Sequence, residues 1–188
     1  MHMDEDDRLI ERTLAGDHAA FADLVRRHAD DVHTVILRAC GNPDQAAELA
    51  QETFLKAFAA LPGFDRSRPL RPWLLAVALN TTRSALRAGR NRARVVRHTD
   101  DGTDRARDTA PGPEALAAQG QHDRMLEAMV RQLPDKLRDA VALRFWADMP
   151  FAELAQALGV SESAAKMRVY RALEQLRVLL DGDDAKED

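Results

Sequence analysis

Apolar residues recur every three or four positions along most of the chain, the spacing of α-helices that bury one face. A short helix is expected from Arg8 to Ala15, after a frayed acidic start at residues 4–7. Asp17 is expected to cap a longer helix that ends at Gly41. Its inward residues would be Phe21, Leu24, Val25, Val32, Val35, Ile36 and Ala39. The pattern therefore predicts a long core helix near the N-terminus.

A third helix is predicted from Asp44 to the break at Pro62-Gly63, followed by a loop and a fourth helix. Leu55 would project from the polar outer side of the third helix, where an apolar side chain suggests contact with another protein. The fourth helix would begin near Trp73 and continue to His98. The inward side of the third helix is assigned to Ala47, Ala50, Phe54, Phe58 and Leu61.

The stretch from Met149 to Leu173 has the punctuation of a helix-turn-helix. Gly159 would end the first helix in the left-handed conformation, and Ser161 would cap the second. The second helix would bury Ala165, Val169, Ala172 and Leu176 and expose Ser163, Lys166, Met167, Tyr170 and Arg171. Small polar groups, an aromatic ring and cations on such a face suit the major groove of DNA. A helical hairpin with a solvated basic face is the simpler alternative for this stretch alone.

Composition changes between residues 99 and 121, where Asp, Gly, Thr, Arg and Pro replace large apolar side chains. This segment is predicted to be a flexible linker, made partly acidic by Asp100, Asp101, Asp104 and Asp108. The predicted fold is all-α, with two small helical domains at residues 8–98 and 122–180. The second domain holds the helix-turn-helix, and an acidic, disordered tail is expected over residues 181–188.

Composition also excludes several classes of function. Cys40 is the only cysteine, so no disulfide framework or cysteine-rich zinc site can form, and His28 and His33 are interpreted as surface residues. No Gly-rich phosphate loop or catalytic constellation stands out, so no enzyme activity, metal or cofactor is predicted. An acidic N-terminus and the lack of a long apolar run predict a cytoplasmic protein that does not insert into membranes.

Arginines are concentrated in one part of a chain whose formal net charge is −4. A phosphate backbone is the natural partner of such a run, and the aromatic residues Phe64 and Trp73 lie just before it. Aromatic rings beside arginines are typical of single-stranded DNA binding, although core packing is the commoner role of both residues. Because the whole protein is acidic, its own affinity for DNA should be weak, which suggests that it acts with a larger partner. The run comprises Arg83, Arg87, Arg90, Arg92, Arg94 and Arg97.

Taken together, these segments resemble an extracytoplasmic-function (ECF, group IV) sigma factor of the sigma-70 family, the promoter-recognition subunit of bacterial RNA polymerase. Residues 46–58, Ala-Ala-Glu-Leu-Ala-Gln-Glu-Thr-Phe-Leu-Lys-Ala-Phe, resemble the polymerase-binding helix of the family. Residues 71–80, Arg-Pro-Trp-Leu-Leu-Ala-Val-Ala-Leu-Asn, resemble its promoter-melting segment. Residues 151–161 resemble the helix-turn-helix that reads the −35 element. The resemblance covers nearly the whole chain and implies a sigma factor that directs transcription initiation.

The resemblance also implies specific contacts for individual residues. Core RNA polymerase would be bound through Glu48, Gln51, Glu52, Leu55 and Lys56. Bases of the −10 element would be captured by Phe64, Trp73 and Asn80, with Arg83, Arg87 and Arg90 on phosphates. The −35 element would be read by Ser163, Lys166, Met167 and Arg171, with Arg168 and Tyr170 on the DNA backbone. Many family members are held inactive by an anti-sigma factor. The resemblance therefore implies three partners: core RNA polymerase, promoter DNA and an anti-sigma factor.

A stand-alone helix-turn-helix regulator that binds DNA as a dimer is the main alternative, with the N-terminal helices as its ligand or dimer domain. This alternative needs a self-complementary apolar surface. The N-terminal half instead carries an arginine run and an aromatic loop that suit DNA. Co-elution with core polymerase would separate the two hypotheses.

Overall fold

The computed structural model describes residues 5–97 and 117–184, with side chains for residues 5–89 and 125–181. All regular structure in these ranges is helical, as the apolar spacing predicts. A 3-10 turn at Leu61–Gly63 follows the third helix, and a π-helical turn at Ala142–Trp146 follows the sixth. The helices are α1 (Glu5–Leu14), α2 (His18–Cys40), α3 (Pro43–Ala60), α4 (Leu70–Arg97), α5 (Ala117–Gln132), α6 (Asp135–Val141), α7 (Phe151–Leu158) and α8 (Glu162–Asp184).

Two of the predicted boundaries need correction. Helix α5 begins at Ala117, inside the segment that the sequence assigned to the linker, and the acidic linker residues 100–108 lie outside the described residues. Helix α8 continues to Asp184, so the first residues of the predicted tail extend the last helix.

Short polar side chains and glycines set the ends of the N-terminal helices. The Asp17 carboxylate accepts hydrogen bonds from the backbone N–H groups of Ala19 at 3.0 Å and Ala20 at 3.3 Å, which starts α2. Gly41 ends α2 with φ +73°, a conformation that a residue without a Cβ adopts at little cost. Asn42 then caps α3 by accepting from Gln45 N–H at 2.9 Å, so α3 begins at Pro43, one residue before the predicted start.

The acidic N-terminus is helical and partly buried, which corrects the expectation of a frayed start. The Asp6 carboxylate accepts from Arg27 Nε at 2.9 Å and lies 2.9 Å from His28 Nε2. Asp6 and His28 are both buried, so His28 is a core residue rather than the surface residue that the sequence suggested. The hydrogen bond to His28 is the main influence that lowers the pKa of Asp6. This contact fastens α1 to α2 by a buried polar link.

The inward side of α3 is rotated by about one residue from the predicted side. Thr53 is fully buried because its hydroxyl donates to the Leu49 carbonyl at 2.7 Å, which satisfies the polar group inside the core. Ala47 and Phe58, which were assigned inward, are exposed. The buried residues of this helix are Ala46, Leu49, Thr53 and Ala57.

The N-terminal half (α1–α4) and the C-terminal half (α5–α8) pack together within the described residues. Helix α2 packs against the π-helical turn, and α4 packs against α7. One hydrophobic cluster therefore continues from Val35 and Ile36 of α2 to Leu143 of the π-helical turn and Leu154 of α7. The sequence predicted two small helical domains, and in the structure these two domains also share one hydrophobic cluster. Long-range packing of this kind leaves no local signal in the spacing of apolar residues.

Candidate functional site

The outer face of α3 carries the residues predicted to bind a large partner. Glu48, Gln51, Glu52, Leu55 and Lys56 are all exposed. Lys56 forms an ion pair with Glu52, one helical turn earlier, at 2.7 Å and also approaches the Thr81 hydroxyl of α4 at 3.4 Å. Leu55 is 71% exposed, so this surface has an apolar side chain at its centre that the described part of the chain leaves uncovered.

An apolar groove lies beside that face, between α2 and α3. Its volume is about 470 Å³, and its lining is almost entirely aliphatic and aromatic. Phe21, one of the lining residues, packs edge-on against Phe58, with ring centroids 4.8 Å apart. Apolar grooves next to polar helix faces are suited to the side chains of a partner helix. The lining residues are Phe21, Val25, Ala50, Gln51, Phe54 and Leu55.

The aromatic loop before α4 is more buried than its predicted role in base capture requires. Phe64 is only 8% exposed and packs against Trp73, with ring centroids 4.9 Å apart. Both rings belong to a second hydrophobic cluster with Leu9 and Ile10 of α1. Trp73 is half-buried and borders a cleft of about 230 Å³ that Gln156 of α7 also lines. Phe64 thus has a core position, the commoner of the two roles expected for it, and base contact by Phe64 does not fit this arrangement.

The arginines predicted to contact phosphates meet carboxylates of the other half. Arg83 Nη2 lies 2.8 Å from Asp139 Oδ2, and Arg87 Nη2 lies 2.6 Å from Asp135 Oδ2. Asn80 is exposed one turn earlier on the same face of α4 and accepts from Arg83 Nη2 at 2.9 Å. The side chain of Arg90 lies outside the described residues. The cationic face of α4 is therefore turned toward α6.

Asp139 is the most perturbed carboxylate at this contact. Its side chain is only 5% exposed, and burial raises the pKa of Asp139 to about 6, against the opposing effect of nearby guanidinium groups. Those groups come from α4, α6 and α8: Arg83, Arg138 and Arg168. For Asp135, burial is the largest single influence, but hydrogen bonds and charge from Arg87 and Arg138 outweigh it and lower the pKa. Asp135 is thus held as a carboxylate, while Asp139 is ionised at neutral pH against a desolvation cost.

Replacing Asp139 by asparagine should remove a pH-dependent contribution to stability. Since its folded-state pKa lies above the ordinary value of 3.8, the folded protein binds this proton more tightly than the unfolded chain does. The free energy of unfolding of the parent should therefore rise relative to Asp139→Asn, by about 1 kcal/mol, between about pH 7.5 and pH 5. Asp6 and Asp135 have lowered pKa values, so their contributions to the free energy of unfolding are lost only at pH values below this range. Urea denaturation at both pH values measures the difference, and a constant difference would contradict the assignment.

The helix-turn-helix has the geometry that its punctuation predicts. Gly159 ends α7 with φ +63°, and its N–H reaches back to the carbonyls of Ala155 and Gln156. Ser161 caps α8 by accepting from Ala164 N–H at 3.3 Å. Ala155 is buried together with Ala165, where small side chains let the two helices approach. The inward residues of α8 are those predicted: Ala165, Val169, Ala172 and Leu176.

The opposite side of α8 presents an exposed mixed surface. Met167 and Tyr170 are both at least half exposed, and Lys166 is paired with Glu162 at 2.7 Å, a hydrogen bond that raises the pKa of Lys166. Ser163 and Arg171 are also exposed. Arg168 differs, since it is half-buried and lines a cleft of about 220 Å³ with Asn80 and Arg83 of α4. The first turns of α8 are therefore exposed among the residues that the structure describes, whereas Arg168 faces the N-terminal half.

Within the described residues, no helix combines the length and apolar character needed to cross a membrane. In the same ranges, His, Cys, Asp and Glu side chains nowhere gather in threes as a metal site would require.

Sequence reasoning missed Asp135 and Asp139 as functional candidates. Their spacing of four residues places both on one face of α6, a signal that could have marked an acidic face but not its partner.

Two family models match most of the chain, one in each half. The family described as "Sigma-70 region 2" matches residues 24–92, and "Sigma-70, region 4" matches residues 123–176. The RNA polymerase sigma factor NccH of Alcaligenes xylosoxydans is 32% identical over 93% of this chain and 94% of its own length. The ECF RNA polymerase sigma factor SigW of Bacillus subtilis is 28% identical over 89% of this chain and 92% of its own.

Two solved structures are similar as well. CnrH, in complex with the cytosolic domain of CnrY, superposes with a TM-score of 0.71 at 26% identity and covers 96% of this chain and 99% of that chain. RpoE from Bartonella quintana, in a co-crystal with the anti-sigma factor NepR, gives a TM-score of 0.62 over 86% of this chain and 96% of that chain. At 23% identity, the second likeness shows the fold alone.

Proposed function

The chain belongs to the ECF group of sigma-70 RNA polymerase sigma factors, and we propose that three separate surfaces bind core polymerase and the two promoter elements. As an ECF sigma factor it directs transcription initiation by RNA polymerase and is a non-enzymatic subunit. The outer face of α3 with its groove binds core polymerase. The α4 face contacts the −10 element, and the exposed face of α8 reads the −35 element.

The observation that carries this proposal is the separation of buried and exposed residues on α8. Four small or aliphatic residues anchor the helix, and its first turns keep a serine, a lysine, a methionine and a tyrosine at the surface. A helix held in this way by a helix-turn-helix can place its N-terminal turns in the major groove. Ser163, Lys166, Met167 and Arg171 are therefore assigned to bases and Tyr170 to the backbone. Arg168 faces the N-terminal half in the packed arrangement and is assigned to the backbone once the two halves have separated.

On α4, Asn80 is assigned to bases of the −10 element and Arg83, Arg87 and Arg90 to phosphates. Trp73, which is half-buried beside a cleft, can reach a base only if α7 moves away. Phe64 is best explained as the support of Trp73, given their ring contact. On α3, Glu48, Gln51, Glu52 and Lys56 form a polar rim around Leu55, the arrangement typical of a protein interface.

The α8 assignment predicts different effects for two cations. Lys166→Ala should relax base preference at one position of the −35 element, because a base-contacting cation contributes about 1 to 3 kcal/mol of discrimination. Arg168→Ala should lower transcription evenly, because a phosphate contact carries no sequence information. Transcription by the holoenzyme from a library of promoter variants measures both effects.

Arg177→Ala is the matched control, because Arg177 is an exposed arginine farther along α8 that pairs only with Asp181 at 3.8 Å among the described residues. It should leave both the level and the pattern of transcription unchanged. The same flat loss for Lys166→Ala and Arg168→Ala would show that this face does not read bases. No loss for either would mean that α8 has a structural role alone.

An anti-sigma factor is proposed as a further partner, because CnrH, similar to this chain across both halves, was solved in complex with the cytosolic domain of CnrY. A role at promoters with core polymerase also implies that this protein acts in the cytoplasm.

The alternative of a stand-alone dimeric regulator predicts tight, specific binding of promoter DNA by the free chain. The acidic net charge of −4 favours the sigma-factor role, in which polymerase tethers both DNA-binding surfaces.

A further inference from the structure

The contact between α4 and α6 joins opposite charges across the two halves. Arg83 and Asp139 are 56 residues apart in the chain, and Arg87 and Asp135 are 48 apart, yet their side chains meet at 2.8 Å and 2.6 Å. In each pair a guanidinium of α4 faces a carboxylate of α6. A carboxylate offers a guanidinium the same kind of oxygen acceptors as a phosphate does. The α6 carboxylates therefore occupy the positions at which phosphates would bind Arg83 and Arg87.

The cleft beside these pairs is lined by residues of both halves. Asn80 and Arg83 of α4 and Arg168 of α8 line it, and its volume is about 220 Å³. Ala157 and Leu158 of α7 also line it, so the first helix of the helix-turn-helix lies beside Asn80, whose side chain stays exposed. Phosphates can replace the carboxylates on Arg83 and Arg87 only after α6 has moved away from α4.

We propose that the packed arrangement is a self-blocked state, in which α6 covers the −10 face of α4 with two carboxylates that imitate phosphates. The proposal rests on the proposed function, because it requires that Arg83 and Arg87 contact promoter DNA. The block is selective, since Lys166, Met167 and Tyr170 of α8 stay exposed in the same arrangement. The free chain thus keeps its −35 face open and its −10 face covered.

The strength of the block is limited by the exposure of one of its pairs. Arg87 is 61% exposed and Asp135 21% exposed, and ion pairs so open to water change an equilibrium by about fivefold at most. Removing this pair should therefore shift the population of open molecules without unfolding the protein. When DNA binds only the open form, its apparent affinity rises in proportion to the open fraction.

Asp135→Asn tests the proposal, because it removes the charge that faces Arg87 while keeping the shape of the side chain. Fluorescence anisotropy of the full-length chain with a labelled single-stranded DNA, at low salt, should show affinity about threefold to fivefold above the parent. Small-angle X-ray scattering should show a larger radius of gyration. Asp30→Asn, at an exposed carboxylate of α2, is the matched control for the change in net charge and should leave the scattering unchanged.

A variant on the other side of the pair guards against a simple loss of folding. Arg87→Gln, at an exposed side chain, leaves the pair of Asp135 with Arg138 inside α6 intact and should enlarge the radius of gyration as Asp135→Asn does. Equal DNA affinity and equal scattering for Asp135→Asn and Asp30→Asn would overturn the proposal. So would an Arg87→Gln variant as compact as the parent.

The proposed function has its own readout. Arg83→Gln with Arg87→Gln should reduce transcription by the holoenzyme at least tenfold, the loss expected when two phosphate contacts are removed. If transcription falls and Asp135→Asn still fails to open the chain, the self-blocked state is wrong and the DNA contacts remain. If transcription does not fall, the DNA contacts of α4 are wrong, and the self-blocked state falls with them.

Discussion

A Leu55→Glu variant is expected to lose core RNA polymerase while remaining folded, with its affinity reduced by about thirtyfold or more. Leu55 is the exposed apolar centre of the α3 face, beside the groove that Phe21 and Phe54 help to line. A carboxylate there would have to be buried without a partner when polymerase covers the surface. Glutamate keeps high helix propensity, so α3 itself should be preserved.

Leu14→Glu is the matched control, because Leu14 is an exposed leucine at the end of α1. Size-exclusion chromatography of each variant with core polymerase gives the comparison, and circular dichroism verifies that both are helical. Co-elution of Leu55→Glu with core polymerase at the parental level would remove α3 from the polymerase interface.

Leu143→Ala is expected to destabilise both halves of the protein together, by about 2 to 5 kcal/mol. Leu143 is fully buried in the π-helical turn and belongs to the cluster that includes Val35 and Ile36 of α2. Because the core is shared, we expect one unfolding transition for the whole protein, and loss of these methyl groups should lower its midpoint temperature. The exposed Leu126 of α5 provides the control, and Leu126→Ala should change the free energy of unfolding by at most about 0.5 kcal/mol.

Thermal unfolding followed by circular dichroism, together with tryptophan fluorescence, measures this prediction. Trp73 lies in the N-terminal half and Trp146 in the C-terminal half, so fluorescence reports on both halves. Two separate transitions, with only the later part of the chain affected by Leu143→Ala, would mean that the halves do not share their stability.

Local patterns predicted the helices well wherever a cap and a regular apolar period agree. The inward residues of α8 could be identified in full, because Ser161 fixes the start of the helix and three- and four-residue steps follow from it. Asp17 and Gly41 fixed α2 in the same way. Such signals are contained within a few residues and need no knowledge of the remaining fold.

The face of α3 was misjudged because one polar residue behaves as a core residue. The Thr53 hydroxyl donates a hydrogen bond to a carbonyl of its own helix, so the residue can be buried. An analysis that counts threonine as polar excludes Thr53 from the inward side and assigns Ala47 and Phe58 to it instead. Phe58 lies near the end of α3, where its ring packs on Phe21 and remains partly exposed. Period alone cannot detect a side chain that satisfies its polar group locally.

Contacts between residues far apart in the chain could not be predicted from the sequence. His28 looked like a scattered surface histidine because its partner, Asp6, lies 22 residues away in a segment expected to fray. The pairing of Arg87 with Asp135 spans 48 residues and depends on how the two halves pack. The residues for DNA contact could be predicted from the arginine run, but their contact with α6 could not.

In vitro transcription on genomic fragments, with purified core polymerase and this chain added singly and together, tests the central claim most directly. A sigma factor with three separate contact surfaces predicts discrete transcription start sites only when both proteins are present, and weak binding of the same fragments by the chain alone. Start sites that do not depend on the chain, together with tight and sequence-specific binding of DNA by the chain alone, would contradict it.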